Sequence, residues 1–337
     1  MPYPVDTLES LLLRQNPEVF ELLLKDHSTS TPGAQVNIIW ATDSYADRGE
    51  GYAFHDQITT DKITGDLEGI IKPRSRKDRS EQISRTKDKA EVFTPSWVCN
   101  LQNNLIDEAW FGREEVFNTV TDDGRKWIPT EGPVAFPEGK TWKDYIRDTR
   151  LEISCGEAPY LVSRYDTVTG ELIPIPERIG MLDRKLRVVS ENTRTTTEWL
   201  EAARTAYQNI LGFEWQGDNL LLAREALYVS FLEYFEDKFG TAPTPRSCRS
   251  IAYVISWNLF QMDGLRGVVP GSCHDIVKGG LFNSETVPCP GCTSPDLLNL
   301  THNGIYCLLR DWGRKDPETG ENNRKIRFID LYRLPTT

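Results

Sequence analysis

The sequence predicts an α/β protein: a sheet with helical crossovers, preceded by an extension of helices and loops and followed by a small cysteine-rich tail. Two observations lead there. From residue 150 onward the patterns run strand, loop, helix, strand, helix, the alternation expected of a layered sheet. After Gly271 the character changes, and this tail holds four of the seven cysteines and two of the four histidines. We therefore divide the chain into an extension (1–90) with helices, one strand and a basic loop, a central domain (91–270) and a metal-binding tail (271–337).

At 337 residues, 39% apolar and 26% charged, the composition is that of an ordinary globular chain. It is long enough for one large domain with elaborations or for two smaller ones. No apolar run approaches the roughly 18 residues of a membrane span. Leu11, Leu12 and Leu13 are followed at once by Arg14, unlike a signal peptide. A cytoplasmic protein without a membrane partner is expected. The net charge of −11 argues against a free-standing, nonspecific DNA binder, since affinity for phosphate rests on clustered cations. It leaves open a subunit that meets DNA through one basic strip or through a partner. The clearest strip in the sequence is Lys72, Arg74, Arg76, Lys77, Arg79, Arg85, Lys87 and Lys89.

Element by element, residues 6–26 carry apolar positions at helical spacing interrupted by Asn16-Pro17, predicting two short helices. Val36–Trp40 is β-branched and reads as a strand. Residues 43–90 read as loops, Ser96–Phe111 as a helix beginning just after Pro95, and 112–140 as irregular. A short strand at Leu151–Ile153 comes next. Glu198–Leu211 reads as a helix, Gly212–Trp215 as a strand and Leu220–Phe239 as a long helix. Ile251–Phe260 is apolar and β-rich, with Asp263 just past its end.

Four short segments carry the chemistry. The strand at 151–153 ends in small residues, Cys155, Gly156 and Ala158, which a chain needs when it turns sharply and lets a ligand touch its backbone. Gly212-Phe-Glu214-Trp-Gln-Gly-Asp218 supplies acids after the second strand. Trp257-Asn-Leu-Phe-Gln-Met-Asp263-Gly-Leu265 ends in a third polar turn, and Phe93-Thr94-Pro95 precedes them all. In doubly wound sheets ligands bind past the carboxyl ends of neighbouring strands.

Taken in order, these segments resemble the motifs of N6-adenine DNA methyltransferases, specifically the methylation subunits of restriction–modification systems. The resemblance spans residues 90–265. The run Ile179-Gly-Met-Leu-Asp-Arg-Lys-Leu-Arg-Val-Val189 is also similar to segments of proteins labelled restriction endonuclease subunit M. The resemblance implies a Rossmann-like, S-adenosylmethionine (AdoMet)-dependent methyltransferase sheet. Phe93, Thr94, Pro95, Glu152, Cys155 and Gly156 would then lie near the methionine part of AdoMet. Glu214, with Asp218 as substitute, would take the ribose hydroxyls, and Asp263 would face the adenine. DNA and a restriction or specificity subunit are the implied partners. The sequence departs from the family at Ser154 and at Glu157-Ala158, where a small residue and glycine are usual.

The family's catalytic Asn-Pro-Pro-Tyr tetrad is absent. After Asp263 the chain offers only Val268-Val269-Pro270, and the one permuted candidate is Asp43 with Tyr45, at the end of the Val36–Trp40 run. Two readings follow: an adenine methyltransferase subunit that depends on a partner, or a catalytically inactive protein of the same fold that binds DNA or another protein. A nuclease would need a cluster of carboxylates with a nearby lysine, and the sequence shows no such set.

In the tail, Cys273, Cys289, Cys292 and Cys307 are spaced C-x15-C-x2-C-x14-C. The Cys289-Pro-Gly-Cys292 knuckle bends so that both thiolates can reach one ion, which in a reducing compartment favours structural zinc. His274 and His302 are alternative ligands. Cys99, Cys155 and Cys248 read as packing residues.

Overall fold

A computed structural model describes residues 9–78, 82–83, 94–278, 285–295, 301–315 and 322–333, together with Tyr3 and Gly320. Helices α1 (Glu9–Gln15) and α2 (Pro17–Leu24) flank Asn16, whose side chain accepts the amide of Val19 while Pro17 opens the second helix. Their apolar faces bury Leu12, Val19, Phe20, Leu23 and Leu24. The expected strand at Val36–Trp40 forms no ladder and makes only isolated bridges, Lys25 with Asn37 and Ile39 with Gln57. Its amides and carbonyls are shared instead among Leu24, Asp56 and Ile58 and the side chain of Gln261. A short helix, α3 (Thr60–Ile63), follows. α4 (Ser96–Phe111) starts after Pro95 as its spacing predicts and stops at Gly112, which turns left-handed. The region expected to be irregular contains a hairpin, β1 (Asn118–Thr121) with β2 (Lys126–Pro129). α5 (Trp142–Arg147) opens with a Thr141/Asp144 capping box.

The centre is a three-stranded parallel sheet of β3 (Arg150–Ile153), β4 (Ile210–Glu214) and β5 (Leu259–Gln261), in that spatial order. α6 (Met181–Asn192) and α7 (Thr196–Gln208) connect β3 to β4, and α8 (Gly217–Phe239) and α9 (Pro245–Asn258) connect β4 to β5. No further strand joins this sheet among the described residues. The stretch 251–260, β-rich in sequence, is helical as far as Asn258 and extended only from Leu259. Thr244 caps Ser247 and Pro245 begins the helix, while Ile251, Ala252, Val254 and Ile255 repeat at helical spacing and are buried. Those boundary signals outweigh β-branching.

The sheet separates two apolar clusters. Ile210 and Leu259 belong to the large core that includes the helices, whereas Phe213 and Phe260, three positions and one position further on, join Val269, Cys307, Leu309 and Ile326. The tail thus shares a core with β4 and β5. It contributes the pair β6 (Ile276–Lys278) and β7 (Glu285–Val287), a turn of helix α10 (Pro290–Thr293), and the antiparallel ribbon β8 (Leu308–Lys315) with β9 (Asn322–Arg327).

Arg224 ties several of these elements together. Wholly within α8, its guanidinium donates to the carbonyls of Leu23, Lys25, Ser256 and Leu259. No helix among the described residues is long and apolar enough to cross a membrane.

Candidate metal centre and the carboxyl edge of the sheet

Four side chains of the tail converge. The ligand atoms of Cys273, Cys289, Cys292 and His302 all lie within 4.8 Å of one another. His302 Nδ1 stands 3.7 Å from each of the three sulfurs. A tetrahedral ion with bonds of about 2.3 Å to sulfur and about 2.1 Å to nitrogen would hold these atoms about 3.6 Å apart. The set could therefore hold a metal ion such as zinc.

The backbone is built around that arrangement. Cys289 N-caps α10, so the knuckle is a helical turn in which the Cys292 amide donates to the Cys289 carbonyl. The Asn303 amide points at Cys289 Sγ at 3.4 Å. A side chain on Gly291 would come within 2.6 Å of His302 Nδ1, and one on Gly304 within 3.0 Å of Cys273 Sγ. Both positions need glycine for the ligands to meet. Burial opposes ionisation of Cys289, but the amides of Asn303, Cys292 and Gly291 and the His302 ring outweigh it and bring the thiol down to about 6. Cys273 is pushed up to about 12, by burial and then by its neighbours Cys292 and Cys289. Collecting several thiolates here costs charge repulsion, which a divalent cation would relieve.

The fourth position belongs to His302, one of the two alternates, and not to Cys307. Cys307 is fully buried in the second apolar cluster, with its thiol donating to the Gln261 carbonyl. Its spacing fits the motif, but the chain from His302 to Cys307 turns the thiol into the sheet. His274 donates its backbone amide to Asn303 Oδ1, and its ring faces the Ser272 carbonyl.

The second candidate region is the carboxyl edge of β3, β4 and β5. Past β3, Ser154, Gly156 and Ala158 all have left-handed backbone, with φ of 50°, 54° and 61°. Two of the three are not glycine, so conformational strain is concentrated in this turn. Gly156 donates its amide to Glu214 Oε2 at 2.9 Å, and Gln216 donates to Glu214 Oε1. The acid after the second strand thus anchors the loop after the first. A Cβ at Gly156 would meet nothing within 4 Å, so the outer side of that backbone is open. Beneath it Glu152 is buried, and its Oε2 has no hydrogen-bond partner among the described residues. Burial holds the Glu152 carboxyl well above its ordinary range, the Tyr160 and Leu161 amides opposing and Glu214 reinforcing.

The other sequence candidates are committed to the fold. Phe93 lies outside the described residues. The Thr94 carbonyl accepts from Thr167, and Pro95 caps α4. Cys155 is buried, and its amide donates to the Phe213 carbonyl. Asp218 is buried and accepts the Tyr45 hydroxyl at 2.8 Å, with Lys77 Nζ at 3.9 Å. Asp43 is exposed, whereas Tyr45 is buried. Asp263 accepts the amides of Leu265 and Arg266 and pairs with the Arg266 guanidinium. Glu157, which departs from the family pattern, turns away from the loop's outer side to accept the Arg74 amide and the Tyr165 hydroxyl. In the Ile179–Val189 run, Asp183 caps α6 through Gly180 and Ser163, and Arg184 binds Asp107, Asn100 and Asn104. Of the basic strip, Arg79, Arg85, Lys87 and Lys89 lie outside the described residues, and Lys77 is buried.

Compared with known proteins, the chain matches no family model, no curated protein and no solved structure.

Glu214 gives a direct electrostatic test. Burial raises its pKa from an ordinary 4.5 to about 7, with the two amides opposing and Asp218 adding to the rise. Between those values the folded protein keeps a proton that the unfolded chain releases. Stability from this group is present below pH 4.5 and is lost as pH rises through 7, by about 3 kcal/mol. Urea midpoints measured across this window should fall more steeply with pH in the parent than in Glu214→Gln. Parallel profiles would show that the carboxyl ionises normally.

Proposed function

We propose that this chain is an AdoMet-binding, methyltransferase-like subunit of a restriction–modification or related defence system, acting on DNA together with a partner chain. The observation that carries the reading is the left-handed turn at Ser154–Ala158, anchored by the Glu214 carboxylate and open at Gly156. A small-residue turn past one parallel strand beside an acid past the next is the arrangement in which α/β sheets receive nucleotide-like ligands. The partnerless Glu152 oxygen below the turn supports it. Bound AdoMet would supply an activated methyl group; Gly156 would lend backbone contact and Glu214 a carboxylate for the ribose.

Partner dependence is supported by two further observations. β3 is paired on one side only among the described residues, and it leaves Leu151 and Ile153 exposed, the latter at 69%. The Tyr45 hydroxyl donates to the buried Asp218, and Asp43 is exposed. The same commitment of Tyr45 favours a second reading, a protein of this kind that binds without catalysing. We read the tail as a structural zinc module.

The deciding experiment is calorimetric titration with AdoMet, followed by transfer of labelled methyl to adenine in duplex DNA with and without co-expressed neighbouring subunits. Micromolar binding that Glu214→Gln weakens about tenfold, the loss of one charge-assisted hydrogen bond, is expected. A folded protein that binds no AdoMet would sink the proposal. Binding without transfer under any condition would establish the second reading.

A further inference from the structure

The sequence points to residues 72–89 as the basic strip, but the structure gathers positive charge elsewhere. β8 and β9 together carry six cations, Arg310, Arg314, Lys315, Arg324, Lys325 and Arg327, against the single carboxylate Asp311. Asp311 is taken by Arg314, and Arg327 by Asp330. Arg310, Lys315, Arg324 and Lys325 have no carboxylate partner among the described residues, in a chain of net charge −11. The sequence joining the strands carries Asp316, Glu318 and Glu321, so the cations belong to the strands and not to their connection.

The central pair is built, not incidental. Arg310 and Lys325 face each other directly in the register, where like charges repel. Both stand over the Trp257 ring, at 4.6 and 5.8 Å, and His27 stacks on that ring at 3.8 Å. The aromatic face offsets part of the repulsion and holds two cations together without neutralising them. Burial first, and then the positive charge of Arg224, Lys25, Arg310 and Lys325, drives His27 down to about 2, so the ring adds no charge of its own.

We infer that the β8–β9 ribbon is a contact surface for the phosphate backbone of duplex DNA. This rests on the DNA half of the reading above and not on the cofactor. A two-stranded ribbon fits the wide major groove of B-form DNA, whereas the A-form groove of RNA is too deep and narrow to admit it. Arg310 is held among the Tyr253, Trp257 and Trp312 rings and donates to the Asn323 carbonyl, so the three other cations, Lys315, Arg324 and Lys325, set the expected salt dependence, a slope of log K against log salt of about −2 to −3.

The test uses the full chain without AdoMet and fluorescence anisotropy with a labelled DNA duplex over a salt series. Lys315→Glu/Lys325→Glu changes two exposed residues, so circular dichroism should show the parent fold. The double variant is expected to flatten the slope by about 2 and to weaken binding at least tenfold at low salt. A parent that does not bind DNA, a variant with the parent's slope, or equal affinity for an RNA duplex would each overturn the inference. Loss of AdoMet binding with this slope intact would fault the cofactor assignment alone.

Discussion

Replacing Arg224 with methionine is expected to destabilise the protein by about 4 kcal/mol, a large share of the roughly 5–15 kcal/mol that holds a domain folded. The apolar stem would still fit inside α8, and the cost of burying a charge would disappear. Four carbonyls, those of Leu23, Lys25, Ser256 and Leu259, would lose this donor, and all but the one on Lys25 take it in the buried interior. Each such orphan costs about 1–3 kcal/mol, which exceeds the relief. Burial lowers Arg224 to about 10, against the pull of Asp26 and Cys155, so it stays charged at neutral pH. Arg224→Lys should recover little, because one ammonium cannot reach carbonyls on α2, α9 and β5 at once. Urea denaturation followed by circular dichroism reads the effect. A midpoint unchanged in Arg224→Met would mean that the carbonyls find other donors and that the guanidinium is not the clamp between these elements.

The second large effect concerns the tail. Purified protein is expected to carry one zinc per chain by elemental analysis. His302→Ala should lose it, and Cys307→Ala should retain it, although the spacing of the cysteines alone favours the opposite outcome. Stripping the metal should abolish hydrogen-exchange protection across 267–273 and 301–307, where Val269 pairs with Ile305 and Cys307 with Gly267. Binding at structural zinc sites is worth about 10 kcal/mol and substitutes for a core that short segments lack. Protection in the large helical core around Phe231 and Trp199 should persist. Metal retained by His302→Ala, or lost from Cys307→Ala, would refute the ligand set.

How much of this could be read from the sequence differs by element. The helices announced themselves through local chemistry: Asn16-Pro17 between α1 and α2, Pro95 before α4, Gly240 after α8. The order of β3 and β4 was legible because small residues and acids follow each. In the segment 251–260 β-branching favours a strand, but the Thr244-Pro245 start signal and the helical spacing of Ile251 and Ile255 prevail as far as Asn258. Val36–Trp40 has the β-branched pattern of a strand, but its backbone partners are scattered over Leu24, Asp26, Asp56 and Ile58 and, over two hundred residues away, the side chain of Gln261, and no local pattern reports that. In the tail the knuckle was legible, and the choice among Cys307, His274 and His302 was not. That choice depends on how the chain turns after His302, which Gly291 and Gly304 permit by leaving room. Glycines placed beside candidate ligands were the overlooked signal.

The side chain of Gln261 clasps the backbone of Ile39 from both sides, accepting from its amide and donating to its carbonyl across 222 positions of sequence. Gly217 completes the clasp, its amide reaching the Trp40 carbonyl where a side chain would strike Ile39. During synthesis, then, the segment around Ile39 leaves the ribosome without its distant partners Gly217 and Gln261. At about 5–20 residues per second, its counterpart arrives roughly 10–40 s later. For that interval Trp40 has only near neighbours such as Tyr45 and Tyr52 to pack against, and the Ile39 backbone waits for the amide that will clasp it. The protein's yield in a cell should therefore depend on chaperone supply more than its final stability would indicate.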